Sequence, residues 1–285
     1  GINIPHGKRG GKVKTFCPKC HNQRHDKRDK SLSVDLDKGL WNCHYCGWGG
    51  TLAESTYDPS PEGKRRWMEQ QPWYQRTKMR QRSTYKKPQP RPTIPMTDKA
   101  KAWFKGRGIS EETLLALKVT EGSEWMPQKN GQANTVQFNY YHNGELVNTK
   151  FRTGDKCFKL VSGAELLPYN IDAIKGQKEC IICEGEMDAL TFYECGRTDV
   201  VSVPNGANAN LDYLDDYIEE YFEDKETIYI ASDTDTKGVL LRDELLRRFG
   251  VERCRVLEYG EGCKDANEHL MKFGKESLLQ CIANA

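Results

Sequence analysis

The chain has 285 residues, 29% of them charged and 37% hydrophobic, enough for more than one domain. No apolar run approaches the ~18 residues that span a bilayer and no signal-peptide pattern opens the sequence, so a membrane partner is not expected. The formal charge of +2 conceals an asymmetry, since residues 1–95 carry 20 Lys and Arg against 8 Asp and Glu while the remainder carries 23 against 33; a basic front and an acidic rear suit a chain that meets a polyanion and holds cations.

In chain order, residues 1–54 hold two paired-cysteine motifs around an alternating stretch at 31–34 that reads as strand. Residues 55–95 contain seven of the twelve prolines and a basic, Gln-rich run with Trp67 and Trp73, without helical or strand period, and read as a flexible linker. A helix start at Thr97-Asp98 and the spacing of Ala102, Trp103, Leu114, Leu115 and Leu117 predict two short helices around Gly106-Arg107-Gly108. Strands follow over 135–141 and 146–152, split by the turn His142-Asn143-Gly144. After Gly176 strands over 179–183, 199–203, 227–232 and 254–257 alternate with helices over 187–194, 211–222 and 238–249. Such alternation predicts an α/β domain with a largely parallel sheet.

Cys17-Pro18-Lys19-Cys20 and Cys43-His44-Tyr45-Cys46 are separated by 22 residues. Two such knuckles bring four thiolates to the corners of a tetrahedron, the geometry of one structural Zn²⁺. His21 and His44 are rival ligands, but neither sits in the paired register. The other seven cysteines read as ordinary thiols of a reducing compartment. Lys27, Arg28, Lys30 and Lys38 offer phosphate contacts, and Trp41, Tyr45 and Trp48 offer faces for unpaired bases. A protein-docking ribbon is the alternative.

Glu184 follows an apolar strand directly and leads into Gly185 and a helix; Asp233 and Asp235 follow another strand, with Gly238 opening the next helix. Carboxyl ends of strands in an open α/β sheet form the ligand crevice, and two Asp one residue apart can reach one hard cation. Asp265 follows the last strand. Each alone could be a helix cap. Lys150 and Arg152 lie two apart on a strand, hence on one face, with Lys159 beyond; Lys237 adjoins the Asp pair. A solvated edge strand is the plainer reading of 148–152.

The stretch from Lys30 through Gly50 resembles the zinc-binding domains of replicative primases, and the ordered set E-G-x-x-D, then D-x-D-x-x-G, resembles the TOPRIM domain of primases, topoisomerases and some nucleases. The tract Lys264-Asp265-Ala266-Asn267-Glu268 resembles the phage and Twinkle-like primase branch. The resemblance implies an α/β (α+β overall) chain: a small antiparallel β zinc ribbon over 1–54, a linker over 55–95, a basic N-terminal α+β subdomain over 96–175, and a Rossmann-like TOPRIM subdomain over 176–285. It implies RNA primer synthesis on single-stranded DNA from ribonucleoside triphosphates, with Glu184, Asp233, Asp235 and Asp265 holding one or two Mg²⁺ or Mn²⁺. Lys150, Arg152, Lys159 and Lys237 would meet nucleotide and template, and Asp37, Lys38 and Trp41 would read template sequence. A replicative helicase, fused or separate, and a DNA polymerase are the expected partners, in a bacterial cytoplasm (phage-encoded) or an organelle. A TOPRIM nuclease and a non-catalytic single-stranded DNA-binding module are the competing functions.

Overall fold

The computed structural model describes residues 2–4, 10–24, 26–37, 39–51, 85–89, 94–206 and 210–285. Lys38, Trp67, Trp73 and most of the linker expected over 55–95 lie outside the described residues. Contacts divide the chain into two units, Gly1–Gln75 and Arg76–Ala285.

The first unit is an antiparallel sheet in the order β1 (Lys12–Thr15), β2 (Leu32–Asp35), β3 (Leu40–Cys43), β4 (Gly49–Thr51). Strand alternation sends Leu32 and Val34 inward, where they meet Cys17, Cys20 and Cys43. Partly buried Ile2, Ile4, Leu36, Trp41 and Trp48 pack around this small centre. A side chain at Gly50 would stand 2.5 Å from the Trp41 ring, so the indole can lie over β4 only because residue 50 is glycine.

The second unit begins with helices α1 (Asp98–Lys105) and α2 (Glu111–Ala116), capped by the hydroxyls of Thr97 and Ser110. An antiparallel sheet follows, ordered β5 (Thr120–Met126), β6 (Gly131–His142), β7 (Glu145–Arg152), β8 (Phe158–Leu160). Because β7 lies between β6 and β8, the segment 148–152 is interior and not a solvated edge; Asn148, Thr149 and Lys150 are all buried.

The third sheet is parallel, in the order β10 (Val200–Ser202), β9 (Glu179–Cys183), β11 (Thr227–Ala231), β12 (Cys254–Val256). Its apolar strands are buried on both faces, as parallel strands must be when helices cover them. The helices are α3 (Glu186–Glu194), α4 (Thr236–Phe249), α5 (Ala266–Phe273) and α6 (Lys275–Ala283). The helix expected over 211–222 is instead a 3₁₀ segment, Asp212–Asp216, and a π turn, Ile218–Phe222. Tyr217, Ile218, Tyr221 and Phe222 remain buried together across these two turns. The strand Thr120–Met126 was not expected. No helix among the described residues is long and apolar enough to cross a membrane.

Candidate functional site

From β9 the chain crosses to β10 on one side and then to β11 on the other, which makes a switch point between two neighbouring strands. The register Cys183↔Ala231 brings the two carboxyl ends level. Glu184 and Asp233 emerge there side by side, with the Asp233 N–H 3.4 Å from Glu184 Oε2. Opposite them opens a cleft of about 530 Å³ lined by Glu184, Glu186, Asp188, Asp233, Asp265 and Lys264 on the acidic wall. Trp103, Arg107, Lys150, Arg152, Lys156 and Lys159 line the basic wall.

Of the four carboxylates expected to gather, three do. Asp235 does not line the cleft; its Oδ1 caps α4, accepting from the N–H groups of Lys237 and Gly238, both at 2.9 Å. Those bonds hold its carboxyl below the usual range. Gly238 is required, because a side chain there would lie 2.0 Å from the Asp233 carbonyl oxygen. Asp265 combines both tasks: Oδ1 caps α5 through the Glu268 N–H at 2.8 Å, while Oδ2 lies 2.9 Å from Lys264 Nζ. The same ammonium stands 3.7 Å from Asp233 Oδ2.

Lys264 thus supplies a stand-in cation between two carboxylates, and that hard, all-oxygen donor set fits Mg²⁺ or Mn²⁺. Burial, together with the charges of Asp265 and Asp235, lifts Asp233 to about 6 against the opposing pull of Lys264. Asp188 is driven well above the carboxylate range by burial and then by Asp265, Asp233 and Glu184. Like charges in a desolvated cleft resist ionisation until a cation arrives.

Lys150 is more constrained than a free phosphate ligand. Its Nζ lies 2.9 Å from both oxygens of Glu186, to which the buried Tyr140 hydroxyl also donates. Arg152 stacks on Trp103 at 4.4 Å, and Arg107 on the same ring at 4.9 Å. Among the described residues neither guanidinium has an ion pair, and burial followed by the charge of Arg107 presses Arg152 below its ordinary value. Lys159 reaches Glu124 at 2.6 Å and the Trp125 carbonyl at 2.8 Å. Lys237 is exposed and outside the cleft.

Glu186, Asp188, Lys264, Asn267, Arg107 and Trp103 were not picked out for the cleft from sequence. Glu186 and Asp188 stand inside the E-G-x-x-D stretch, and Lys264 and Asn267 flank Asp265, so the signal was within residues already singled out. Nothing local marks Arg107 and Trp103.

In the first unit the ligand atoms of Cys17, Cys20, Cys43 and Cys46 all lie within 4.8 Å of one another, alone in this among the described residues. The Sγ separations are 3.8 Å for Cys17–Cys46 and 3.7 Å for Cys20–Cys43. A tetrahedron with metal–sulfur bonds of about 2.3 Å has edges of about 3.8 Å, so the four thiols fit Zn²⁺ without rearrangement. Burial, and hydrogen bonds among the thiols, push Cys20 up; against burial, hydrogen bonds from Ser31 and the knuckle N–H groups hold Cys43 down. Asp37 accepts from the Gly11 N–H at 3.0 Å and is exposed. Trp41 packs on Trp48 at 5.6 Å and is half-buried, whereas Tyr45 is 64% exposed with Arg24 4.1 Å above its ring.

A Toprim-like family model matches residues 181–270, the parallel sheet with its acidic strand ends. A primase homolog protein of Arabidopsis thaliana is 31% identical over 310 residues, covering 100% of this chain and 85% of that protein. The Arabidopsis chloroplastic/mitochondrial Twinkle homolog is 29% identical over 99% of this chain, and the DNA helicase/primase of phage T3 is 31% identical over 63%. The chain spans 40% and 31% of those two longer proteins. Among solved structures, the phage T7 primase domain in a complex with lagging-strand DNA polymerase and an RNA/DNA hybrid aligns at 28% identity and a TM-score of 0.55, over 64% of this chain and 90% of that one. The T7 primase fragment shares the fold over 95% of this chain and 98% of its own, at 21% identity and a TM-score of 0.56. The chain belongs to the primase family of T7-type primase-helicases and Twinkle homologues, DNA-directed RNA polymerases of the TOPRIM type with a zinc-binding region.

Proposed function

We propose that the cleft joins ribonucleotides into short RNA primers on a single-stranded DNA template, with Glu184, Asp233 and Asp265 as the carboxylates around the reacting phosphate. What supports this most is the pairing of an acidic wall with a basic one in a single cleft at the sheet's switch point. Joining two nucleotides requires a nucleophilic 3′-hydroxyl and neutralisation of charge on a triphosphate. One or two Mg²⁺ or Mn²⁺ ions, when bound by the acidic wall, supply both. The chain's own contribution is placement. Arg107 and Arg152, stacked on one indole and without an ion pair among the described residues, orient the triphosphate. Lys150, fixed by Glu186, presents its ammonium between the two walls, and Glu184 is placed to take the hydroxyl proton or to ligate. Lys159, already engaged by Glu124, is a weaker candidate for the template strand, and Lys237 weaker still.

The four-cysteine unit, over 1–54, is proposed to hold one structural Zn²⁺ and to read a short template sequence through its hairpin face, with Asp37, Lys38 and Trp41 as readers and exposed Tyr45 as a stacking surface. The basic stretch 55–95 would tether it to the polymerase unit, whose basic subdomain is placed at 96–175 and TOPRIM subdomain at 176–285. A DNA polymerase that accepts the primer and a replicative helicase are the proposed partners. The relatives come from phages and from plant organelles, and we place the chain in a phage-infected bacterial cytoplasm or an organelle.

The test is direct. The full chain, given a library of single-stranded templates, four ribonucleoside triphosphates and Mn²⁺, should make short oligoribonucleotides from a subset of sequences. The absence of product on every template would remove the proposal. Cleavage of the template instead would favour a TOPRIM nuclease.

A further inference from the structure

Asn267 joins three elements that line the cleft. It lies two residues beyond Asp265 in the first turn of α5 and is 4% exposed. Its Nδ2 donates to the Arg107 carbonyl at 2.9 Å and to Thr191 Oγ1 at 3.0 Å. Its Oδ1 accepts from Arg107 Nη1 at 3.2 Å. The Thr191 hydroxyl donates in turn to the Met187 carbonyl at 2.9 Å, inside the helix that follows Glu184. The Asn267 backbone N–H bonds to Asp188. One buried amide therefore ties the loop carrying Asp265 to α3 and, 160 residues earlier, to the turn carrying Arg107.

The bond to Nη1 is the sole hydrogen bond that fixes the Arg107 guanidinium among the described residues; its other contact is the Trp103 ring, which Arg152 shares. An arginine held at two points loses less freedom on meeting an anion than one that sweeps through solvent. A neutral amide can do this where a carboxylate would not, because it accepts from the guanidinium without cancelling its charge. The Arg107 carbonyl is satisfied by the same side chain, so backbone and head group are set together.

We propose that Asn267 is a positioning residue for triphosphate binding: it holds the Arg107 guanidinium, with Trp103 and Arg152, at a fixed place relative to the Asp265 loop. This rests on the reading of Arg107 as a triphosphate ligand, and the test separates the two. Binding of ATP with Mg²⁺ to the full chain is measured by equilibrium dialysis, with inorganic tripolyphosphate as competitor, for Asn267→Ala, Arg107→Ala and the double variant.

Arg107→Ala weakens ATP by about tenfold, the equivalent of one charge-assisted hydrogen bond. Asn267→Ala weakens it by roughly three- to tenfold, and in the Arg107→Ala background by less than about twofold, because coupled residues are non-additive. Full additivity, or unchanged binding in Asn267→Ala, overturns the role of Asn267 while leaving Arg107 as a ligand. Unchanged ATP binding in Arg107→Ala, or no competition by tripolyphosphate, overturns the reading of Arg107 itself. Should Asn267→Ala fail to fold by near-ultraviolet circular dichroism, Asn267→Asp carries the test. It keeps the shape and the acceptor, gives up both Nδ2 donations and pairs the guanidinium with a carboxylate, so ATP binding weakens; an effect that persists at full size without Arg107 refutes the proposal.

Discussion

Lys150 and Glu186 offer the sharpest test of how the cleft is built. Their side chains are 11% and 4% exposed, and among the described residues the other group hydrogen-bonded to the carboxylate is the Tyr140 hydroxyl. Burial and then the charge of Glu186 hold that phenol far above its ordinary value, so it stays protonated and donates. Lys150→Met keeps the aliphatic stem and removes the ammonium, leaving a buried carboxylate with one neutral partner. Removing one member of a buried pair costs about 3–5 kcal/mol. In a unit of the size of Arg76–Ala285 each kcal/mol is worth about 2–4 °C, so the melting point should fall by roughly 6–20 °C. Glu186→Gln is milder, about 1–3 kcal/mol, since the amide oxygen still accepts from Lys150 and Tyr140. In Lys150→Met/Glu186→Gln no charge is stranded, and the double variant should be more stable than Lys150→Met alone. Urea unfolding at pH 7, followed by tryptophan fluorescence and near-ultraviolet circular dichroism, measures all three. A Lys150→Met variant within about 1 kcal/mol of the parent would mean that the pair is solvated, and the structural reasoning would fail.

Three further outcomes follow from the site. Removal of zinc by chelation, or Cys43→Ser, should unfold the four-stranded first unit, because structural zinc contributes about 10–16 kcal/mol in small domains; unchanged protease resistance at 1–54 after verified metal loss would contradict this. Asp233 has a raised pKa of about 6, so it binds its proton more tightly folded than unfolded. Without metal, stability is therefore lost as pH rises from about 4 to 6, and Asp233→Asn should melt a few degrees above the parent at pH 7 but level with it near pH 3; a parent with no such pH dependence would sink the assignment. Asp235 separates cap from ligand: Asp235→Ala loses the cap and lowers the melting point slightly, while Asp235→Asn keeps the cap. Primer synthesis retained by the Asn variant would make Asp235 a cap alone, and loss in both would make it a ligand.

What could be read in advance was whatever the chain encodes locally. The cysteine pairs state their geometry in their spacing, and apolar strands that end in a carboxylate and a glycine announce the parallel sheet and its crevice. The D-x-D-x-x-G stretch reads as two ligands in the sequence; in the structure Asp235 caps its own helix through Oδ1, and Gly238 lets that helix approach the Asp233 carbonyl. A cap and a ligand have the same letters, and one carboxylate can serve as both, as the two oxygens of Asp265 do between the α5 cap and the Lys264 ammonium.

The missed residues share a different cause. Glu186 acquires meaning from Lys150, 36 residues away, and Asn267 from Arg107, 160 residues away. In sequence the first is one more acidic residue at a helix start and the second one more polar residue after a cap. Their burial is what converts them, because a desolvated amide or carboxylate must find partners and so dictates where those partners point. The acidic wall is visible locally because each strand end delivers its own carboxylate. The basic wall is visible only in part: strand alternation puts Lys150 and Arg152 on one face, but Arg107 is aimed, and Lys150 held, by groups on the opposite side of the cleft. The two walls therefore fold as one site: a change in Glu186 or Asn267, each made within the TOPRIM half, should be felt first as a loss of nucleotide binding on the other half.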